Sequence, residues 1–259
     1  MRTARLDIAR AQRRRGFTLV EMLIVVGIIV ILVTMLTPSL AAVRTAARVT
    51  STRVLLYTLE TGLNMFKGEI PLGRDYPPSY AERPVAVQVP YPYSSGQQYL
   101  GAQTLHWALA GPKLGGTPGF TYDPASNIYF PSFVGAPREY GPFVDVGKIK
   151  IGTPPQPGDP EEWAWAAPIF PDDFGKPVLY YKATPNSVAM QIYDPSHNSY
   201  IVWGHPLSNP NTFWNYIADP RTNNTYPHNR DGFLIISAGP DKRYGTPDDV
   251  ANFPFNPQQ

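Results

Sequence analysis

Three carboxylates near the C-terminus are the side chains whose types and spacing best suit chemistry: Asp241, a Gly-Thr-Pro turn at 245–247, then Asp248 and Asp249. A chain that folds back over that turn makes the three face one point. Calcium binds roughly six to eight hard oxygens at about 2.3–2.6 Å, drawn from carboxylates, carbonyls and water. Ser237, at the end of an apolar run, could add its hydroxyl or carbonyl, with main-chain carbonyls completing the shell. Without a cation, like charges held together would raise one another's pKa values and destabilise the turn. The spacing is not that of an EF-hand. The competing arrangement is a tight turn whose Asp side chains accept bonds from nearby backbone N–H groups.

A second chemically pointed residue is Glu21, the one charge among the twenty-one residues from Phe17 to Thr37. Burying an unpaired carboxylate in an apolar setting is costly, so something should neutralise it. Other reaction chemistries find little support. His106, His197, His205 and His228 are scattered without a zinc-ligand spacing, and there is no cysteine for a thiolate site, a disulfide or a nucleophile. The adjacent pairs Glu161-Glu162 and Asp172-Asp173 point to opposite faces of an extended chain, which does not suit paired glycosidase acids. Neither a Gly-x-Ser-x-Gly elbow nor a phosphate-binding glycine loop occurs. Trp163, Trp165, Trp203 and Trp214, with sixteen tyrosines, could line a sugar or peptide platform, although packing is the more economical use. Asn223-Asn224-Thr225 is a glycosylation sequon by pattern only.

The element that must position Glu21 is the apolar run itself. As a helix it would span roughly 31 Å, at about 1.5 Å per residue, which matches a bilayer's hydrocarbon core. Six arginines and one aspartate precede it, a basic flank that keeps the N-terminus cytoplasmic and sends the remainder across. A secretory signal peptide, with Ser39-Leu40-Ala41 as its cleavage site, would have a shorter apolar region and no early acid. A permanent anchor is the other simple possibility.

Arg15-Gly-Phe-Thr-Leu-Val-Glu21 and the apolar run up to Pro38 resemble the type IV pilin and type II secretion pseudopilin superfamily. Residues 16–21 match its signature without a gap. The resemblance implies cleavage by prepilin peptidase between Gly16 and Phe17 and N-methylation of Phe17. It also implies that Glu21 meets the terminal amine of a neighbouring subunit during assembly, and that Pro38 bends the helix. Pro171-Asp-Asp-Phe-Gly-Lys-Pro-Val-Leu-Tyr-Tyr181 and the Asp231–Asp249 stretch are similar to the hairpin and calcium loop of major, G-type pseudopilins, as is the stretch from Leu59-Glu60 to Ile70-Pro71 to their helix end. In that family the acids matching Asp241, Asp248 and Asp249 bind calcium. Residues 79–158 and 182–230 depart from the pattern.

The rest of the chain divides accordingly. Residues 1–16 read as a leader, 17–38 as a transmembrane helix, 39–67 as its amphipathic continuation and 68–259 as a β domain with long insertions. In the continuation Leu40, Val43, Ala47, Val54, Leu55, Leu59, Leu63 and Phe66 recur mostly at helical steps. Two helices broken at Pro38 are the alternative. Twenty-nine of thirty prolines lie at or beyond Pro71, so the distal part should hold loops, turns and short strands. The readings there are a short helix at Thr104–Ala110 and strands at Val144–Ile151, Val178–Tyr181, Val188–Ile192, Tyr200–Trp203 and Phe233–Ser237. The expected fold is α+β, a long N-terminal helix packed on a small antiparallel sheet.

Formal charge is +2, but the leader carries +5, so the remaining chain is at −3 and offers no basic surface to nucleic acid. The function expected is a non-enzymatic, single-pass inner-membrane pseudopilin with a periplasmic C-terminal domain. It would assemble with copies of itself and other pseudopilins on the inner-membrane platform of a type II secretion-like system. The alternatives are a type IV pilus or minor tip subunit and a tethered glycan- or cargo-binding module.

Overall fold

The computed structural model describes residues 16–69, 74–82, 98–124, 128–131, 139–152, 168–184, 186–199 and 201–254. The leader therefore lies outside the described residues, except for Gly16. The fold is α+β, as expected: one long N-terminal helix, then short helices and antiparallel strands. Two compact units are present, residues 1–46 and 47–259.

Helix α1 runs from Leu19 to Gly68 without interruption, so the chain does not form two helices broken at Pro38. Hydroxyls inside its apolar run are satisfied locally, Thr34 donating to the Ile31 carbonyl (2.8 Å) and Thr37 to that of Val33 (2.8 Å). Every large apolar side chain from Leu19 to Leu36 is at least 46% exposed, a continuous apolar surface that water does not favour.

In the second unit α1 buries Thr52, Leu56, Leu59, Leu63 and Phe66, a stripe at steps of four and three. Leu59, Leu63 and Phe66 belong to the predicted face. Val54 does not, being 61% exposed, because two residues turn a helix by about 200° away from the buried stripe. Gly62 lies within the stripe for a steric reason. A Cβ there would stand 3.0 Å from both the Phe143 carbonyl oxygen and Val144 Cγ1. The missing methyl lets helix and domain close up.

Strands β1 (Ala81–Glu82) and β2 (Gln98–Tyr99) pair, as do β3 (Phe120–Asp123) and β4 (Ile128–Pro131). The central sheet has the order β5 (Leu179–Lys182), β6 (Phe233–Ser237), β7 (Val250–Ala251), all antiparallel. Side chains alternate across it. Tyr180, Phe233 and Ile235 join the α1 stripe, together with Leu105 and Leu109 of helix α2 (Gly101–Leu109). Leu179, Tyr181, Leu234 and Ile236 face the opposite core, filled by Tyr193, Val202, Leu207 and Phe213. Residues 182–230 thus cover the second face of the sheet. That is why β6 reads as an unbroken apolar run instead of alternating.

Strands near Val178–Tyr181 and at Phe233–Ser237 occur, the first shifted by one residue, and α2 contains most of Thr104–Ala110. Three expected strands do not occur. Val144–Ile151 is a series of turns: the Asp145 side chain accepts the Gly147 N–H (3.1 Å), its carbonyl accepts those of Lys148 and Ile149, and Val144 packs on the α1 core without a ladder. Within Val188–Ile192, residues Ala189–Gln191 form a 3-10 helix, entered from Asn186 in the left-handed region (φ 62°). In Tyr200–Trp203, the described residues from Ile201 onward are a turn, with the Ile201 and Val202 N–H groups donating back to the Asn198 carbonyl. Helix α3 (Pro210–Ile217) was not expected, although its signals are present: Asn209 caps it by accepting the Asn211 N–H (2.9 Å), Pro210 opens it, and Phe213, Tyr216 and Ile217 are buried.

Candidate functional site

The C-terminal loop joins β6 to β7. Gly239 turns the chain at φ +62°, and a Cβ there would sit 2.1 Å from the Asp248 carbonyl oxygen, so only glycine fits. Asp241, Asp248 and Asp249 each place one carboxylate oxygen within 4.8 Å of the others. The loop also knits itself together. The Asp241 N–H donates to Asp248 Oδ2 (2.8 Å), Arg243 N–H to Asp241 Oδ1 (2.7 Å) and Gly245 N–H to Asp249 Oδ2 (2.7 Å). The Thr246 hydroxyl lies 2.7 Å from Asp248 Oδ1. The Tyr216 hydroxyl, from α3, donates to Asp249 Oδ2 at 2.8 Å. Burial pushes the Asp249 carboxyl up to about 7 in spite of those bonds.

Both arrangements foreseen for this loop therefore coexist: three gathered acids, each also accepting a backbone N–H. Every donor just named is neutral, so the bonds orient the carboxylates without cancelling their charge. A carboxylate has about four acceptor positions, which leaves each acid capacity for a cation. The oxygen-only donor set suits a hard divalent ion such as calcium.

Ser237 is placed differently. Its hydroxyl donates to Asp172 Oδ2 (2.7 Å) and accepts from the Gly239 N–H (3.3 Å). Asp172 is buried and also accepts from the Phe174 (2.9 Å) and Lys176 (2.8 Å) N–H groups, while its neighbour Asp173 pairs with Lys150 at 2.6 Å. The two acids face different partners, but across a turn and not along an extended segment, the Gly175 N–H donating back to the Asp172 carbonyl. Asp172 is a turn-holding group, and the Ser237 hydroxyl serves it.

At the N-terminus Gly16, Phe17 and Thr18 precede α1, and Phe17 is exposed. Thr18 N–H and hydroxyl both donate to Glu21 Oε2 (2.9 and 2.8 Å), and the Glu21 N–H donates back to Thr18 Oγ1 (3.2 Å). This is a capping box, which satisfies two of the helix's free N–H groups. Sequence reasoning assigned Glu21 a distant partner and missed Thr18, although Thr-x-x-Glu before an apolar run is the signal for it. Tyr216 was missed because nothing local to it points at the acidic loop. Pro38 lies inside the continuous helix.

Elsewhere, Ser79 Oγ stands 2.8 Å from His197 Nδ1, with Asp194 Oδ2 3.7 Å from Nε2. The serine is buried and the carboxylate is beyond hydrogen-bond reach, so this trio does not form an activated nucleophile. His106 is buried against Phe170, its Nε2 without a hydrogen-bond partner. Asp219 holds Arg221 in a forked pair that keeps its carboxyl down to about 2, and lies 3.8 Å from the buried His228. Trp203 is exposed and Trp214 packs on the core, whereas Trp163, Trp165, Glu161 and Glu162 lie outside the described residues.

Comparison with known families matches the prokaryotic N-terminal methylation motif to residues 11–37. Comparisons with curated proteins and with solved structures find no match. The motif indicates a type IV pilin-like protein, and it implies processing by a prepilin peptidase and assembly with pilin-like subunits. With the apolar helix it also indicates membrane anchoring.

Proposed function

We propose that this chain is a pseudopilin, a non-enzymatic subunit of a periplasmic filament in a type II secretion-like system for protein export. Its leader is cut between Gly16 and Phe17 on the cytoplasmic side, and Phe17 is then N-methylated. The mature chain crosses the inner membrane once, with its C-terminal domain in the periplasm. It assembles with its own copies and other pseudopilins through the apolar half of α1. The observation that carries this reading is the methylation motif, which runs directly into a helix whose large apolar side chains from Leu19 to Leu36 are all exposed, with Glu21 the one charge among them. The C-terminal loop is proposed to hold a structural calcium ion on Asp241, Asp248 and Asp249. The gathered oxygens support it, and a cation would offset the cost of burying the Asp249 charge, which raises that carboxyl.

Assembly places two demands on Glu21, capping its own helix and neutralising a neighbour's terminal amine. Glu21→Gln separates them, because glutamine completes a capping box but carries no charge. The expected result is normal cleavage and methylation of Phe17, read by mass spectrometry of the membrane fraction, with no filaments by electron microscopy. Normal filaments from this variant would remove the charge-pairing role and leave Glu21 as a helix cap.

A further inference from the structure

Two adjoining clefts, of about 360 and 580 Å³, open on the second unit and share Tyr76, Tyr226, Arg230, Asp231 and Gly232, so that they form one groove. Its walls come from distant parts of the sequence: Asn64 on α1, Tyr76 after it, and Asn186, Tyr226 and Arg230 from the segment that covers the sheet. None of these residues belongs to the acidic loop or to the N-terminal motif.

The lining is rich in planar polar groups, among them Asn186 in the first cleft, Glu60 and Asn64 in the second and Asp231 in both. Each presents two coplanar polar atoms, a spacing that vicinal hydroxyls can match, with acceptors on the acids and both kinds of atom on the amides. Three of the four acids that line the groove have a cationic partner, Glu60 being the fourth. Asp75 is 2.6 Å from Lys182, Asp219 is forked to Arg221 at 2.8 Å, and Arg230 lies 3.5 Å from Asp231. An anionic ligand would meet Glu60 and have to draw those cations from their acids, whereas a neutral ligand uses the donors and acceptors left over. The apolar side chains along the groove, Ala183, Ile192 and Phe233, are buried in the cores, so no apolar socket is offered to a lipid chain or a hydrophobic peptide anchor. Two aromatic rings are common to both parts: Tyr76, packed edge-on against Phe233 with the Lys67 ammonium 4.2 Å over it, and Tyr226, 38% exposed, with the Arg230 guanidinium 5.3 Å over its ring. Walls are fixed by turns at left-handed asparagines: Asn186 (φ 62°) and Asn229 (φ 50°) line the groove, and Asn223 (φ 53°) follows Thr222. A rim shaped by backbone loses little entropy when a ligand docks.

We infer that this groove binds a neutral oligosaccharide, with Tyr226 as the stacking surface and Asp231 and Asn186 as hydroxyl partners. The inference stands apart from filament assembly and from the metal loop. It is tested on the full chain in lauryldimethylamine oxide micelles, since alkyl glycoside detergents would themselves offer sugar. The probes are maltohexaose, cellohexaose, chitohexaose and mannohexaose, with hexagalacturonate as the anionic comparison, followed by saturation-transfer NMR and calorimetry. At least one neutral hexasaccharide should bind, and Tyr226→Ala and Asp231→Ala should each weaken it about tenfold. Tyr226→Phe should retain binding. The Asp231 side chain is 90% exposed, so its variant should keep the wild-type melting temperature and report on binding alone. No binding of any neutral probe at about 10 mM, a weak limit of roughly 3 kcal/mol, would overturn the inference. Affinity unchanged in both alanine variants, or tighter binding of hexagalacturonate, would overturn it as well.

Discussion

His106 shows most directly how one side chain ties this structure to its environment. It lies in α2, wholly buried against Phe170, and burial pushes its pKa from 6.5 down to about 4. The unfolded chain therefore binds a proton between those values that the folded chain refuses. Stability is fully present above pH 6.5 and declines as the pH falls toward 4, by up to about 3 kcal/mol at roughly 1.4 kcal/mol per pH unit. Asp249, raised to about 7, takes up a proton over the same range with the opposite sign, so the His106 contribution is read as a difference: in urea unfolding the wild type should lose stability relative to His106→Leu, which cannot titrate, with that slope as the pH falls from 6.5 to 4. The type of residue was visible in the sequence, but its burial was not, since no ligand pattern or periodic stripe marks it. Asp172 teaches the converse: its pairing with Asp173 looked like a question about catalysis, and the structure makes it the anchor of a turn through Ser237 and two backbone N–H groups.

At the scale of elements, legibility followed pattern length. The helix was readable because fifty residues carry one consistent preference, and β6 because four apolar residues and a serine end at a turn. Val144–Ile151 misled because its apolar residues serve a packed loop, where Asp145 offers the backbone better bonds than a ladder would. By helix propensity alone Gly62 costs about 1 kcal/mol against alanine. Its value is tertiary, since α1 meets Phe143 and Val144 there at 3.0 Å from where a Cβ would be. Gly62→Ala should accordingly stay near neutral, propensity offsetting the tight contact. Gly62→Val should lower stability by about 1–3 kcal/mol through overpacking, as measured by chemical denaturation.

For the whole molecule, the two-sided sheet is the organising fact, and it was the part least visible in advance. Residues 182–230 read as an insertion outside the family pattern, yet Tyr193, Val202, Leu207 and Phe213 among them pack a core over Tyr181, Leu234 and Ile236. No local pattern reveals this, because the contacts join segments far apart in sequence. The acidic loop was legible as three acids and a turn, whereas its tie to α3 was not. If the loop holds calcium, the whole domain gains stability by linkage, about 2.7 kcal/mol at a hundred times the dissociation constant. The full chain should then melt higher in calcium than in chelator, and Asp248→Ala with Asp249→Ala should abolish the difference. Equal melting in both conditions for the wild type would leave the loop an acidic turn.

The bond from Tyr216 to Asp249 has a practical side. A phenol absorbs in the near ultraviolet, and its band moves when the acceptor of its proton changes character. Tyr216 sits with its hydroxyl 2.8 Å from the loop carboxylate and its ring edge-on to Phe253, a fixed and asymmetric setting. The protein thus carries a built-in optical gauge of its own loop. Titrating the unlabelled chain with a divalent cation should produce a tyrosine difference spectrum, and Tyr216→Phe should erase most of it while leaving the other tyrosines as the baseline.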